Sequence, residues 1–251
     1  MPNKKDRRIG QILEILKQEE RMRIAELAAR LHVTPETLRS DLSGLADARM
    51  VVKEHGYVRL VQALEEKPLA IRSTEHMSCK LAASVAALSR VRDGEVIFLD
   101  AGTTVIQGLE ALRSKKDLTV ATNSLPLASM LASMNFKTIM VGGMVYNPGE
   151  RTYGMFACNA IEHIQFDAVY LGSDGILGAH GFTTVHESEL EVKRSLLHQT
   201  RKVIIICDSS KFHTRASYMF CSFREVDLLV TNPLTPQERE MVSSVKEVLE
   251  V

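Results

Sequence analysis

The sequence predicts two folds in one chain: a small N-terminal winged helix-turn-helix, and behind it a larger α/β domain built on a mostly parallel sheet. Three observations predict this. Over residues 8 to 60 the apolar periodicity is helical three times and then gives way to two short strand-like stretches. From Ser73 onward, apolar runs of strand length alternate with helical segments. At 251 residues, with 45% apolar and 25% charged residues, the chain is too long for a DNA-binding module alone and has the composition of an ordinary globular protein.

Ile9, Ile12, Leu13, Ile15 and Leu16 recur at helical spacing opposite Glu14, Lys17 and Gln18, which makes a first amphipathic helix. Ile24, Leu27, Ala28 and Leu31 form the next stripe. Thr34-Pro35 then provides an N-cap and a proline at the tolerated first helical position, so a third helix starts at about Pro35 and runs through Leu38, Leu42 and Leu45. Met50 to Lys53 and Tyr57 to Leu60, hinged at His55-Gly56, read as a hairpin. This places a first domain over residues 1–60. Residues 61–72 have mixed charge, one proline and no clear period, and read as a linker; residues 73–251 make the second domain.

In the second domain a helix is expected over Cys79 to Leu88. Strands are expected at Val96 to Leu99, Leu118 to Ala121, Thr138 to Val141, Ala168 to Leu171, Val203 to Cys207 and Asp227 to Val230. Helices are expected at Val105 to Leu112, Pro126 to Ser133, Met155 to His163 and Glu187 to Gln199. Such alternation implies βαβ units with helices on both faces of the sheet.

Composition narrows the function classes. Lys plus Arg equals Asp plus Glu at 31 each, so a polyanionic partner must be sought in local asymmetry, and the first 60 residues lean basic. The four cysteines stand singly and the histidines carry no ligand spacing, so neither a zinc site nor a disulfide framework is expected. The amphipathic N-terminus and the absence of a long apolar run point to a cytoplasmic protein with no membrane partner.

A helix-turn-helix reads DNA through short polar or basic side chains early on its second helix. Thr34, Thr37, Arg39 and Ser40 fill that role: Arg39 can fork onto guanine, while Thr37 and Ser40 can bond phosphates or base edges. Lys53, His55 and Arg59 on the hairpin would lie along the DNA backbone. The same pattern also serves a plain helical domain with solvated charges, so further detail has to carry the reading.

In the second domain, polar clusters fall at strand ends, where an open α/β sheet forms its ligand crevice. Asp100-Ala101-Gly102-Thr103-Thr104 offers backbone N–H groups and two hydroxyls for a phosphate. It is neither a Walker loop nor GxGxxG. Asn123-Ser124, Gly142-Gly143, Ser173-Asp174-Gly175 and Asp208-Ser209-Ser210-Lys211 add to it. Lys211 supplies a cation, Lys193 is a second candidate with the alternative of a solvated helix face, and Asp100, Asp174 and Glu187 can accept from sugar hydroxyls. A small polar effector is expected, with no cofactor and no metal.

These residues resemble a known family. Arg8, Ile12 and Leu16, followed by Thr34 to Leu42, are similar to the N-terminal signature of the DeoR family of bacterial regulators. The hairpin departs from it, with His55-Gly56 where the family usually carries Gly-Gly. Asp100 to Thr104, Thr122 to Ser124, Gly142-Gly143, Ser173 to Gly175, Gly181 to Thr184 with Glu187 and Lys193, and Asp208 to Phe212 are similar to the family's sensor domain. The resemblance implies a repressor of a sugar-catabolism operon, binding double-stranded operator DNA as a homo-oligomer, dimer or tetramer. It also implies a sensor of ribose-5-phosphate-isomerase-like fold whose effector is a phosphorylated sugar. Two other readings stay open. One is a sugar-phosphate isomerase or deaminase with Asp174 and Glu187 as acid and base; the other is a DNA-binding protein whose second domain only oligomerises.

Overall fold

The computed structural model describes residues 4–19, 21–47, 50–54, 56–60, 66 and 68–251. The chain divides into two compact units, Met1–Ile71 and Arg72–Val251. His55 and most of the expected linker lie outside the described residues.

The first unit runs α1 (Lys4–Gln18), β1 (Met22–Arg23), α2 (Ile24–Arg30), α3 (Pro35–Asp47), β2 (Val51–Glu54) and β3 (Tyr57–Leu60). The three strands pair antiparallel in the order β1-β3-β2. The helical stripes meet in one core of Ile12, Leu16, Leu27, Leu38, Leu42, Leu45, Val51 and Val58, each such side chain contributing roughly 1.5–3 kcal/mol of transfer free energy. Asp41, buried on α3, takes a two-nitrogen contact from Arg8, which fastens α1 to α3. Between α2 and α3, His32 adopts φ +52, a left-handed step that ends α2 so that the chain can re-enter a helix three residues later. Gly56 turns the hairpin at φ +84, a conformation that favours glycine. β1 went unforeseen because two residues carry no periodicity.

The second unit begins within α4 (Leu69–Thr74), which opens behind Pro68 where a structureless linker was expected. It continues with α5 (Met77–Leu88), β4 (Val96–Leu99), α6 (Thr103–Gln107), β5 (Thr119–Thr122), α7 (Leu125–Ser133), β6 (Lys137–Met140), β7 (Met144–Tyr146), β8 (Arg151–Tyr153), α8 (Met155–Glu162) and β9 (Ala168–Leu171). Then come β10 (Gly181–Thr184), α9 (Glu187–His198), β11 (Val203–Ile206), β12 (Tyr218–Ser222), β13 (Leu228–Thr231), α10 (Pro236–Met241) and β14 (Val248–Glu250).

Seven of these strands form one sheet in the order β14-β13-β11-β9-β4-β5-β6, every pairing parallel. Along β4, Ile97 and Leu99 enter one core with residues of α5, α6 and α7, and Phe98 enters the other with residues of α8 and α9. Burial of both faces explains why these strands read as unbroken apolar runs.

The single helix expected over Val105 to Leu112 is broken. Gly108 ends α6, and a tighter 3-10 turn takes over at Leu109–Leu112. The cause is the close crossing of α5: a Cβ on Gly108 would stand 2.4 Å from Ser84 Oγ, and that hydroxyl accepts the Gly108 N–H at 3.1 Å while donating to the Val105 carbonyl at 3.0 Å.

Candidate functional site

α3 buries Leu38, Asp41, Leu42 and Leu45 and turns Glu36, Arg39, Ser40, Ser43 and Gly44 outward, positions spaced by three and four that make one continuous face. Thr34 caps the helix: its hydroxyl accepts the Thr37 N–H at 3.2 Å and lies 3.0 Å from the Thr37 hydroxyl. The two threonines therefore hold the helix start, and Arg39 and Ser40 are the exposed reading groups. Arg39 contacts Glu36 at 3.1 Å with 64% of its side chain exposed, a pair too solvated to cost more than a few tenths of a kcal/mol to release. Lys53 is exposed on β2, and Arg59 reaches Glu54 at 3.4 Å on the hairpin. The sequence reading missed Arg21 and Arg23, whose guanidinium groups lie 5.1 and 5.4 Å from the Tyr57 ring centre. Arg23 also donates to the Tyr57 hydroxyl at 2.9 Å, so the base of the hairpin is braced by cations.

The second unit's site lies at the carboxyl ends of β4, β9 and β11, with β4 and β9 forming the point where the strand order reverses. Asp100, Gly102, Thr103, Thr104, Asp174, Lys193 and Lys211 line one cavity there. Around Gly102, at φ −71, a Cβ would find nothing nearer than Gly172 Cα at 3.9 Å; neither backbone nor packing demands glycine, and the missing side chain leaves room at the cavity wall.

Beneath the cavity runs a buried row of charges. Asp100 accepts from the backbone N–H of Ala101 at 3.0 Å and of Gly172 at 2.9 Å, and pairs with Lys193 at 3.0 Å. Lys193 also donates to the Gly172 carbonyl at 2.7 Å and stands 3.8 Å from Glu189. Glu189 pairs with the fully buried Arg151 at 3.1 Å and receives the Thr184 hydroxyl. Burial opposes charge on Lys193, but Asp100, Glu189 and Asp174 outweigh it and hold the ammonium well above the ordinary lysine value. Burial likewise opposes the Glu189 carboxylate, and Lys193 and Arg151 outweigh it, keeping the group below the usual glutamate range. Two acids and two bases thus stay ionised without solvent.

Not all expected residues reach the cavity. Glu187 is exposed at the start of α9; the carboxylate that lines the cavity belongs to Glu189, two positions on, because one helical turn buries Ser188 and Glu189 and leaves residue 187 outside. Lys193 is buried, not solvated. Asn123 and Ser124 serve β8 and α7: Asn123 donates to the Thr152 carbonyl at 3.1 Å, and Ser124 caps α7 through the Leu127 N–H at 3.3 Å. Gly142 and Gly143 are exposed beyond β6; a Cβ on Gly143, at φ +137, would meet the Tyr153 carbonyl oxygen at 2.4 Å, so this glycine permits close approach of β8.

Lys80 is the main cavity residue missed. It is 3% exposed on α5 and donates to Thr103 Oγ1 at 3.2 Å and to the Arg72 carbonyl. Burial, and then the neighbouring Lys211, pull its ammonium below the usual lysine value. Its signal was available: it is the one charged residue in Met77–Leu88.

An exposed helix face in a winged helix-turn-helix joined to an α/β unit with a polar cavity defines a ligand-sensing DNA-binding regulator. Comparison with known proteins agrees. The model of the DeoR-like helix-turn-helix domain matches residues 8–63, and that of the DeoR C terminal sensor domain matches residues 75–233. The chain belongs to the DeoR family of transcriptional regulators. It is 29% identical to the HTH-type transcriptional repressor GlcR of Bacillus subtilis, over 92% of this chain and 90% of that one. It is 26% identical to the glycerol-3-phosphate regulon repressor of Escherichia coli, over 93% of each. These relatives are regulators, and this chain is a regulator and not an enzyme. Among solved structures, ribose 5-phosphate isomerase A of Methanocaldococcus jannaschii overlaps 55% of each chain at a TM-score of 0.41 and 13% identity, too remote to bear on the site. Among the described residues no helix is long and apolar enough to cross a membrane.

Proposed function

We propose that this protein represses a sugar-catabolism operon and that a phosphorylated sugar bound at the carboxyl ends of β4, β9 and β11 controls its affinity for operator DNA. The observation that carries the reading is the meeting of Lys211, the Thr103 and Thr104 hydroxyls and the Asp174 carboxylate in one cavity of a chain that also presents Arg39 and Ser40 on an exposed helix. A compact cation and hydroxyls suit a phosphate, and a carboxylate suits sugar hydroxyls. The names of two relatives, a repressor and a glycerol-3-phosphate regulon repressor, support it. The reading calls for no resident cofactor, places the protein in the cytoplasm, and has it act as a homo-oligomer because paired half-sites are read by paired domains.

A thermal-shift screen against phosphorylated sugars tests it, since an effector at a hundredfold over its dissociation constant stabilises by roughly 2.7 kcal/mol. The expected result is a shift with one sugar phosphate, reduced in Lys211→Ala. An undiminished shift in that variant would remove Lys211 as the phosphate anchor, and no shift with any phosphorylated sugar would remove the effector class.

A further inference from the structure

The cavity measures about 40 Å³. That is room for a few waters and far below the roughly 300 Å³ at which pockets for small organic ligands begin. Part of its wall is a stretch of the chain's own backbone: Arg72, Glu75 and His76, from the end of α4 to the start of α5. Two cavity groups hold that stretch. The Lys80 ammonium donates to the Arg72 carbonyl, and the Asp174 carboxylate faces the Arg72 guanidinium at 3.8 Å. His76, between the two helices, is held at φ +52, a left-handed conformation that non-glycine residues seldom adopt.

Both holding groups are ones that a phosphorylated sugar would claim. Lys80 spends its buried charge on two neutral oxygens, a carbonyl and a hydroxyl, and a phosphate oxygen is a much stronger partner for an ammonium. Asp174 already accepts from the Val185 N–H at 3.0 Å and the Thr184 hydroxyl at 3.1 Å; relieved of Arg72, it has lone pairs for sugar hydroxyls.

We infer that Lys80 anchors the effector's anion, and that by taking Lys80 and Asp174 the effector displaces the Arg72–His76 stretch from the cavity. The inference rests on the sugar-phosphate reading above. Displacement gives the effector different affinities for two states of the protein, the requirement for any ligand-driven switch. Arg72 follows directly on Ile71, the last residue of the DNA-reading unit, so the change is delivered to that unit along the chain itself, and no surface between the units has to carry it.

The test uses the full chain as wild type, Arg72→Ala and Lys80→Met. Amide hydrogen exchange over residues 69–80 is measured without ligand. Binding of inorganic phosphate, glycerol 3-phosphate and a set of aldose and ketose phosphates is measured by calorimetry, and operator affinity by anisotropy. Without ligand, both variants are expected to exchange faster than wild type over residues 72–78. Arg72→Ala is expected to bind the active sugar phosphate about threefold or more tightly, because less has to be displaced, and its effector-free operator affinity moves toward the effector-bound value of wild type. Lys80→Met loses about tenfold or more in sugar-phosphate affinity. If wild type responds to a sugar phosphate while both variants exchange, bind and respond as it does, the inference is overturned and the effector reading stands. If wild type answers none of these ligands, both fall together.

Discussion

The two units place their charges in opposite ways. On α3, Arg39 and Glu36 pair at 3.1 Å with 64% and 76% of their side chains exposed. Beneath the sensor cavity, Asp100, Lys193, Glu189 and Arg151 form a row in which no side chain is more than 9% exposed. A solvated pair is worth little and is easily exchanged for a phosphate or a base edge. A buried row gains its worth only while it is complete, since removing one partner strands another without water. One unit keeps its cations available for DNA; the other uses them to fix the shape of a cavity.

The sharpest way to break this comparison is to delete a charge from each region. Lys193→Met strands Asp100 and Glu189, and the sensor unit's urea unfolding should show a loss of about 3–5 kcal/mol. A loss below 1 kcal/mol would mean that the row is not the support described here. Arg39→Ala should leave stability within about 0.5 kcal/mol and weaken specific operator binding by roughly 1–3 kcal/mol; fluorescence anisotropy with operator and unrelated DNA reads both the size and the specificity.

Smaller effects sharpen the picture. Gly102→Ala should fold with unchanged stability, because its backbone is ordinary and nothing in the protein crowds the new methyl group. Its sugar-phosphate affinity should drop about tenfold, roughly 1.4 kcal/mol, because the methyl group occupies the cavity wall. A variant that binds normally would take Gly102 out of the effector's path.

The smallest effect concerns alkaline pH. Burial, and then Asp208, push the Cys207 thiol up to about 12; burial, and then Glu225, do the same for Cys221. The folded state therefore retains protons that the unfolded chain gives up near pH 8.5. Stability should be level below that pH and fall as pH rises toward 12, and Cys207→Ser and Cys221→Ser should each flatten the fall.

The sheet and the helix-turn-helix were readable from sequence for the same physical reason: each buries its apolar side chains at a period its backbone imposes. Val96 to Leu99 and Ala168 to Leu171 appear unbroken because both faces are covered, and Leu38, Leu42 and Leu45 recur because α3 has one core face. The antiparallel pairs β7–β8 and β10–β12 were not readable; they are three to five residues long, and Gly-Phe-Thr-Thr at 181–184 looks like a loop.

At the site, residues close to the strand ends were found from the position of those ends, as with Asp100, Thr103, Asp174 and Lys211. The errors come from helices and second layers. Glu187 and Glu189 differ by two positions, less than helical period reasoning resolves without knowing which face is buried. α5 hides Lys80 because its amphipathicity is reversed: Met77, Leu81 and Val85 are 51%, 45% and 39% exposed while the lysine is buried. A lone charge in an otherwise uncharged helix deserved a partner search.

Operator affinity measured with and without a sugar phosphate tests the central claim most directly. With full-length protein and its operator, the account predicts that one phosphorylated sugar changes the affinity by about tenfold or more, and that the same sugar without its phosphate does not. Equal affinity in the presence of the phosphorylated and unphosphorylated forms, at concentrations that saturate the protein in calorimetry, would contradict it.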